Sequence, residues 1–113
     1  MNLPLSPIVE HSGMIFCSGQ IPLYLKAGNM ENDPARATDL VLRNMAALLE
    51  EAGCTMADVV KTTVFVKDLE DYEIINSEYA KHFTAPYPAR SLVQVSRLPR
   101  DSVVEIECIA IRK

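Results

Sequence analysis

Apolar residues change period several times along this chain, and each change marks an element. Residues 14–17, Met-Ile-Phe-Cys, form a compact apolar run behind Gly13. It reads as a buried strand ended by Ser18, Gly19, Gln20, Ile21 and Pro22. Small residues there let backbone amides approach a ligand closely, or simply terminate the strand. Ahead of it, residues 8–11 predict a short strand, and residues 3–7, with two prolines and no period, predict a surface arm. After a loop at 23–32 a helical period takes over. Asp33 offers an N-cap, Pro34 the first helical position and Gly53 the residue past the C-terminus. Between them Ala37, Leu40, Val41, Met45, Leu48, Leu49 and Ala52 lie on one stripe.

Residues 59–66, Val-Val-Lys-Thr-Thr-Val-Phe-Val, are rich in β-branched side chains and predict a central strand. A second helix opens at 68–71, with Leu69, Tyr72, Ile75, Asn76, Tyr79 and Phe83 on one face. Asn76 is the polar member of that face, and its expected part is a hydrogen bond to a backbone segment. Pro86 and Pro88 then stiffen the approach to Arg90, because proline fixes φ and pushes the residue before it out of the helical region. Leu92, Val93 and Val95 continue as a strand, residues 99–102 carry turn chemistry, and residues 103–111 return as another strand. Pairing of these two as a hairpin is expected to bring Arg90 near Glu105. Such a pair suits binding of an anionic small molecule beside a water. It suits an interface salt bridge equally well.

The order of elements predicts one α+β domain over residues 1–113, with two helices crossing one face of a sheet of four or more strands. Side chains alternate along the last strand, so Val104, Ile106, Cys108 and Ala110 point one way, and Val103, Glu105, Glu107, Ile109 and Ile111 the other. Both faces carry apolar residues and two helices cover only one. The other face, with Phe65, Ile109 and Ile111, therefore calls for a partner, most simply another copy of the chain, with Arg90 and Glu105 near the contact.

Composition narrows the classes. At 113 residues with 49% hydrophobic and 23% charged positions, the chain has a globular balance. A formal charge of −4 with scattered basic residues lacks the electrostatic footprint of a nucleic-acid binder. No apolar run approaches membrane-spanning length, and the first residues show neither a basic nor an apolar signal region, so a cytoplasmic location is expected. Cys17, Cys54 and Cys108 form no C-x-x-C and read as small buried hydrophobes. His11 and His82 lack metal-ligand spacing, and neither is assigned to a metal.

Taken together, Ser18-Gly-Gln-Ile-Pro22, Val60-Lys-Thr-Thr-Val-Phe-Val-Lys-Asp-Leu69, Asn76 with Tyr79, Pro88-Ala-Arg-Ser91, and Leu98-Pro99 with Glu105-Ile-Glu107 cover nearly the whole chain. In these motifs the chain resembles the YjgF-type reactive intermediate deaminases, RidA-like imine deaminases also known as L-PSP endoribonucleases. The resemblance implies a chorismate-mutase-like fold, and a homotrimer whose sheets line a central barrel with ligand clefts between subunits. It implies that Arg90 clamps the carboxylate of a 2-imino acid and that Glu105 positions the attacking water. Ser18, Gly19 and Leu92 would line the cleft, Leu92 through its backbone, with Asn76 structural or at the cleft edge. The implied reaction turns reactive 2-imino or 2-enamino acids into 2-oxo acids and ammonia, with no metal or organic cofactor. Two positions depart from the pattern: the family's cleft tyrosine falls on or close to Leu5, and its frequent cysteine falls on Leu92. These departures bear on substrate preference. They also motivate a second reading, a carboxylate-binding or chaperone-like trimer without turnover. A third reading, ribonuclease activity, meets an acidic chain without a paired-histidine site.

Overall fold

A computed structural model describes residues 2–113. One mixed sheet carries five strands, β1 (Ile8–His11), β2 (Met14–Gln20), β3 (Val59–Val66), β4 (Ala89–Gln94) and β5 (Val104–Ile111), in the order β1-β2-β5-β3-β4. Two helices, α1 (Pro34–Glu51) and α2 (Tyr72–Ala80), pack on one face. Asp33 caps α1 as its sequence predicts, its carboxylate accepting from the Arg36 amide at 3.0 Å. Gly53 ends the segment at φ +80°, a conformation that a side chain would strain.

The core lies between the helices and the sheet. Ala37, Val41, Leu42, Met45 and Leu49 of α1 and Ile75 and Tyr79 of α2 meet Ile15, Val64, Val66, Val104, Ile106 and Ala110. Cys17, Cys54 and Cys108 are buried and free, as expected of small hydrophobes. The predicted α1 stripe holds, with Leu40, Leu48 and Ala52 at its half-buried margin and Leu42 added to its centre.

The expected hairpin between the last two strands does not form. β4 pairs with β3 in parallel, and β5 lies antiparallel on the other side of β3, inserted between it and β2. A helix connects β3 to β4, and such a connection returns a strand alongside the one it left. β4 thereby takes the free edge of β3, while β5 fills the gap between β2 and β3.

The alternation predicted for β5 is borne out: Val104, Ile106, Cys108 and Ala110 are buried. Their neighbours face the side without helices. There Val9, Met14, Phe16, Val93 and Ile111 are exposed, with Phe65 and Ile109 half-exposed between them. Among the described residues of a single chain nothing covers this apolar face.

Candidate functional site

Arg90 enters from a short proline-rich approach in which the Ala85–Pro86 peptide is cis. It stands in register with Thr62 of β3, which is fully buried on the helix side of the sheet. Paired residues share a face, so the guanidinium lies on the helix side against α2. Three α2 residues at helical spacing receive it. Nη1 donates to Asn76 Oδ1 at 2.7 Å, and Cζ lies 5.0 Å from the Tyr79 ring centroid and 5.9 Å from that of Tyr72. The Tyr72 hydroxyl sits 3.5 Å from Nη2. Tyr79 is itself anchored, its hydroxyl sharing a 2.7 Å hydrogen bond with Thr62 Oγ1. Burial of that phenol raises its pKa, while the Thr62 bond and the positive charge of Arg90 pull the other way. Asn76 therefore serves a side chain and not the backbone segment expected of it.

A guanidinium carries five N–H donors. Asn76 takes one of them at short range, and cation–π contact orients the plane without consuming a donor. The outward edge of Arg90 keeps donors for a planar carboxylate. Leu92, two residues on, points to the same face and packs its side chain against the core.

Glu105 occupies a different place. It is in register with Phe65, three residues along β3 from Thr62, which puts it on the opposite face. Two strand spacings and three residue rises separate the Arg90 and Glu105 Cα atoms by roughly 14 Å. Within one chain the expected Arg90–Glu105 proximity is absent, because β3 runs between them and the two side chains leave the sheet in opposite directions.

What Glu105 does meet is Gly19. The pairing of β2 with β5 is irregular between Cys17 and Gln20, and Ser18 and Gly19 fill that irregularity. A Cβ on Gly19 would lie 2.1 Å from Glu105 Oε2 and 2.8 Å from its carboxyl carbon, so the carboxylate occupies the room that the glycine leaves. Ser18 is tied down beside it, its hydroxyl donating to the Ser6 carbonyl at 2.6 Å and its amide to that of Pro7 at 2.9 Å. Partial burial raises the Glu105 pKa above that of an ordinary glutamate, and the charge of Glu107 adds to the rise.

The residues singled out thus fall into two groups: Arg90, Asn76 and Leu92 on the helix side at the β4 edge, and Ser18, Gly19 and Glu105 on the open face. Tyr72 and Tyr79 belong with the first group as well. Their shared helix face was visible in the sequence, but their contact with Arg90 requires β4 to lie under α2. Leu5, in the arm, is exposed. Away from both groups, His82 Nε2 lies 2.9 Å from Asp39 Oδ1, and the donor atoms of Asp39, Glu78 and His82 gather within 4.8 Å. Arg43 and Lys81 already pair with Asp39 and Glu78, and the set reads as an ion-pair cluster tying α1 to the end of α2.

Comparison with known proteins agrees with this architecture. A family model described as Endoribonuclease L-PSP matches residues 2–112. A protein of Escherichia coli strain K12 named 2-iminobutanoate/2-iminopropanoate deaminase is 47% identical over 108 residues, 93% of this chain and 84% of its own. The crystal structure of E. coli TdcF with bound serine superimposes with a TM-score of 0.92 at 39% identity, covering all of this chain and 91% of that one. RidA from an Antarctic Psychrobacter gives a TM-score of 0.93 at 33% identity, covering 96% and 88%.

Proposed function

We propose that this chain, which belongs to the endoribonuclease L-PSP family, hydrolyses the C=N bond of small 2-imino acids, releasing 2-oxo acids and ammonia. The observation that carries the reading is the pair of prepared half-sites. An arginine is oriented by Asn76 and Tyr79 with donors to spare. A glutamate of raised pKa is seated in the space that a glycine vacates. The deaminase named above, 47% identical to this chain, supports the imine substrate class, and the serine bound by TdcF supports a small ligand bearing a carboxylate.

The halves are on opposite faces of one sheet, so the working site is built between copies of the chain. The uncovered apolar face supplies the contact, and a homotrimer with clefts between subunits brings the Arg90 edge of one copy to the Glu105 face of the next. In that cleft Arg90 holds the substrate carboxylate in a fork of two hydrogen bonds. An enamine first tautomerises to its imine. Glu105 then accepts a proton from water as the water oxygen bonds to the imine carbon, and the nitrogen gains a proton. The carbinolamine collapses, its C–N bond breaks, and ammonia leaves a 2-oxo acid. Holding water and imine in attacking geometry supplies much of the acceleration. Ser18 and the Leu92 backbone line the cleft.

The test generates 2-aminoacrylate or 2-aminocrotonate in place with a dehydratase and follows imine loss with the parent protein, Arg90→Ala, Glu105→Gln and no protein. Acceleration by the parent that is lost in correctly assembled variants supports the assignment. Equal rates in parent and Arg90→Ala overturn it. Binding of a 2-oxo acid without any turnover would replace it with a ligand-binding role.

A further inference from the structure

We propose that Cys17 and Cys108 are joined by a disulfide within one chain when the protein meets hydrogen peroxide. The two cysteines are direct partners in the antiparallel pairing of β2 with β5. Residues so opposed have Cα atoms about 4.5 to 5.5 Å apart, inside the roughly 4.4 to 6.8 Å range that disulfides span. Both side chains leave the sheet on the helix side, and each residue is nearly fully buried. Neither takes part in the chemistry proposed above. They face each other in the buried core, at a backbone spacing that a disulfide can span.

The two sulfurs are unequal. The Cys17 thiol donates to the Ser18 carbonyl at 3.5 Å, and the neighbouring Cys108 thiol holds the Cys17 pKa below that of an ordinary thiol. The Cys17 neighbour, together with burial, pushes Cys108 upward. Cys17 is thus the first to react. Its thiolate attacks one peroxide oxygen, the O–O bond breaks, hydroxide leaves, and the sulfur becomes a sulfenic acid. The Cys108 sulfur then attacks the Cys17 sulfur, the S–S bond forms, and the sulfenic oxygen departs as water. Overall, two thiols and one peroxide give one disulfide and two waters. Cys54, the third buried thiol, lies just past the end of α1, outside the strand register that aligns the other two. The crosslink would tie β2 to β5 one residue before Ser18 and two before Gly19, fixing the frame that seats Glu105.

The experiment treats the intact protein with hydrogen peroxide, denatures it in excess alkylating reagent, and maps the peptides without reduction. The expected result is a protein two hydrogens lighter, alkylated only at Cys54, with the Cys17 and Cys108 peptides linked within one chain. Cys54→Ala should keep the link. Cys108→Ala should lose it and carry a Cys17 sulfenic acid that dimedone captures. Continued alkylation at all three cysteines overturns the proposal. So does a link through Cys54, a link between two chains, or oxidation of Cys17 to sulfinic acid with no link in the parent protein.

Discussion

Gly19 and Glu105 share one volume: a Cβ on Gly19 would fall 2.1 Å from the Glu105 Oε2 atom. The obstructed atoms are at the far end of a flexible side chain, so Gly19→Ala should fold and displace the carboxylate. Displacing a water-positioning group by about an ångström is expected to lower kcat on the order of a hundredfold. Steady-state kinetics beside a thermal melt checks this. A variant with parental kcat would show that Glu105 needs no fixed seat.

Asn76 makes the short hydrogen bond that holds Arg90 in place. Hydrogen bonds to charged groups contribute roughly 1.5 to 3 kcal/mol, so Asn76→Ala should cost on the order of ten- to a hundredfold in kcat/KM. Most of the loss should appear as raised KM, because the arginine that binds the carboxylate is loosened while Glu105 is untouched. A loss confined to kcat would mean that Asn76 acts on the reacting atoms directly.

Burial first, and the Glu107 charge second, raise the Glu105 pKa. A base must be ionised, so activity should fall as the pH drops, with its midpoint above the ordinary glutamate value of about 4.3. Glu107→Gln should move that limb to lower pH without restoring the ordinary value, since burial persists. For stability the sign is opposite. A carboxyl whose folded pKa is raised favours the folded chain below its unfolded pKa, and that contribution is lost as pH rises through the folded value. Rate profiles of the parent and Glu107→Gln between pH 4 and 8 decide the matter, and coincident acid limbs would remove Glu107 as a cause.

Because Arg90 and Glu105 leave the sheet on opposite faces, Arg90→Ala and Glu105→Gln should each be inactive alone and complement when mixed. Co-refolding equal amounts places an intact Arg90 against an intact Glu105 at about one contact in four, so about a quarter of parental activity should return. No recovery in properly assembled mixtures would mean that a single chain supplies both residues.

The Tyr79 hydroxyl and Thr62 Oγ1 satisfy each other in the core. Tyr79→Phe leaves the Thr62 hydroxyl buried without that partner, and should cost about 1 to 3 kcal/mol of stability. Thr62→Val in the same background should recover part of the loss, because it removes the orphaned group. Denaturant unfolding of the three variants measures both effects. An unchanged midpoint in Tyr79→Phe would count against the bond as a stabilising contact.

Much of the fold was legible in residue order because it rests on local chemistry. Asp33, Pro34 and Gly53 delimit α1 through caps, and alternation along 104–111 sorts Ile106 from Glu105 through the geometry of an extended chain. Arg90 and Glu105 stand out as a candidate pair from the strand pattern, while cleft positions for Ser18, Gly19, Leu92 and Asn76 come from the resemblance to the family's motifs. Strand order could not be read this way. A turn between residues 99 and 102 is compatible with a hairpin, but the free edge of β3 beneath α2 draws β4 into a parallel pairing, and β5 inserts between β2 and β3. That non-local competition decided that Asn76 meets a guanidinium, that Gly19 makes room for Glu105, and that Cys17 faces Cys108. Local sequence determines what each segment is and which of its faces is apolar, because caps, turns and periodicity act over a few residues. Which segments become neighbours is decided by the tertiary structure, because strand pairing is settled by the burial of the whole sheet.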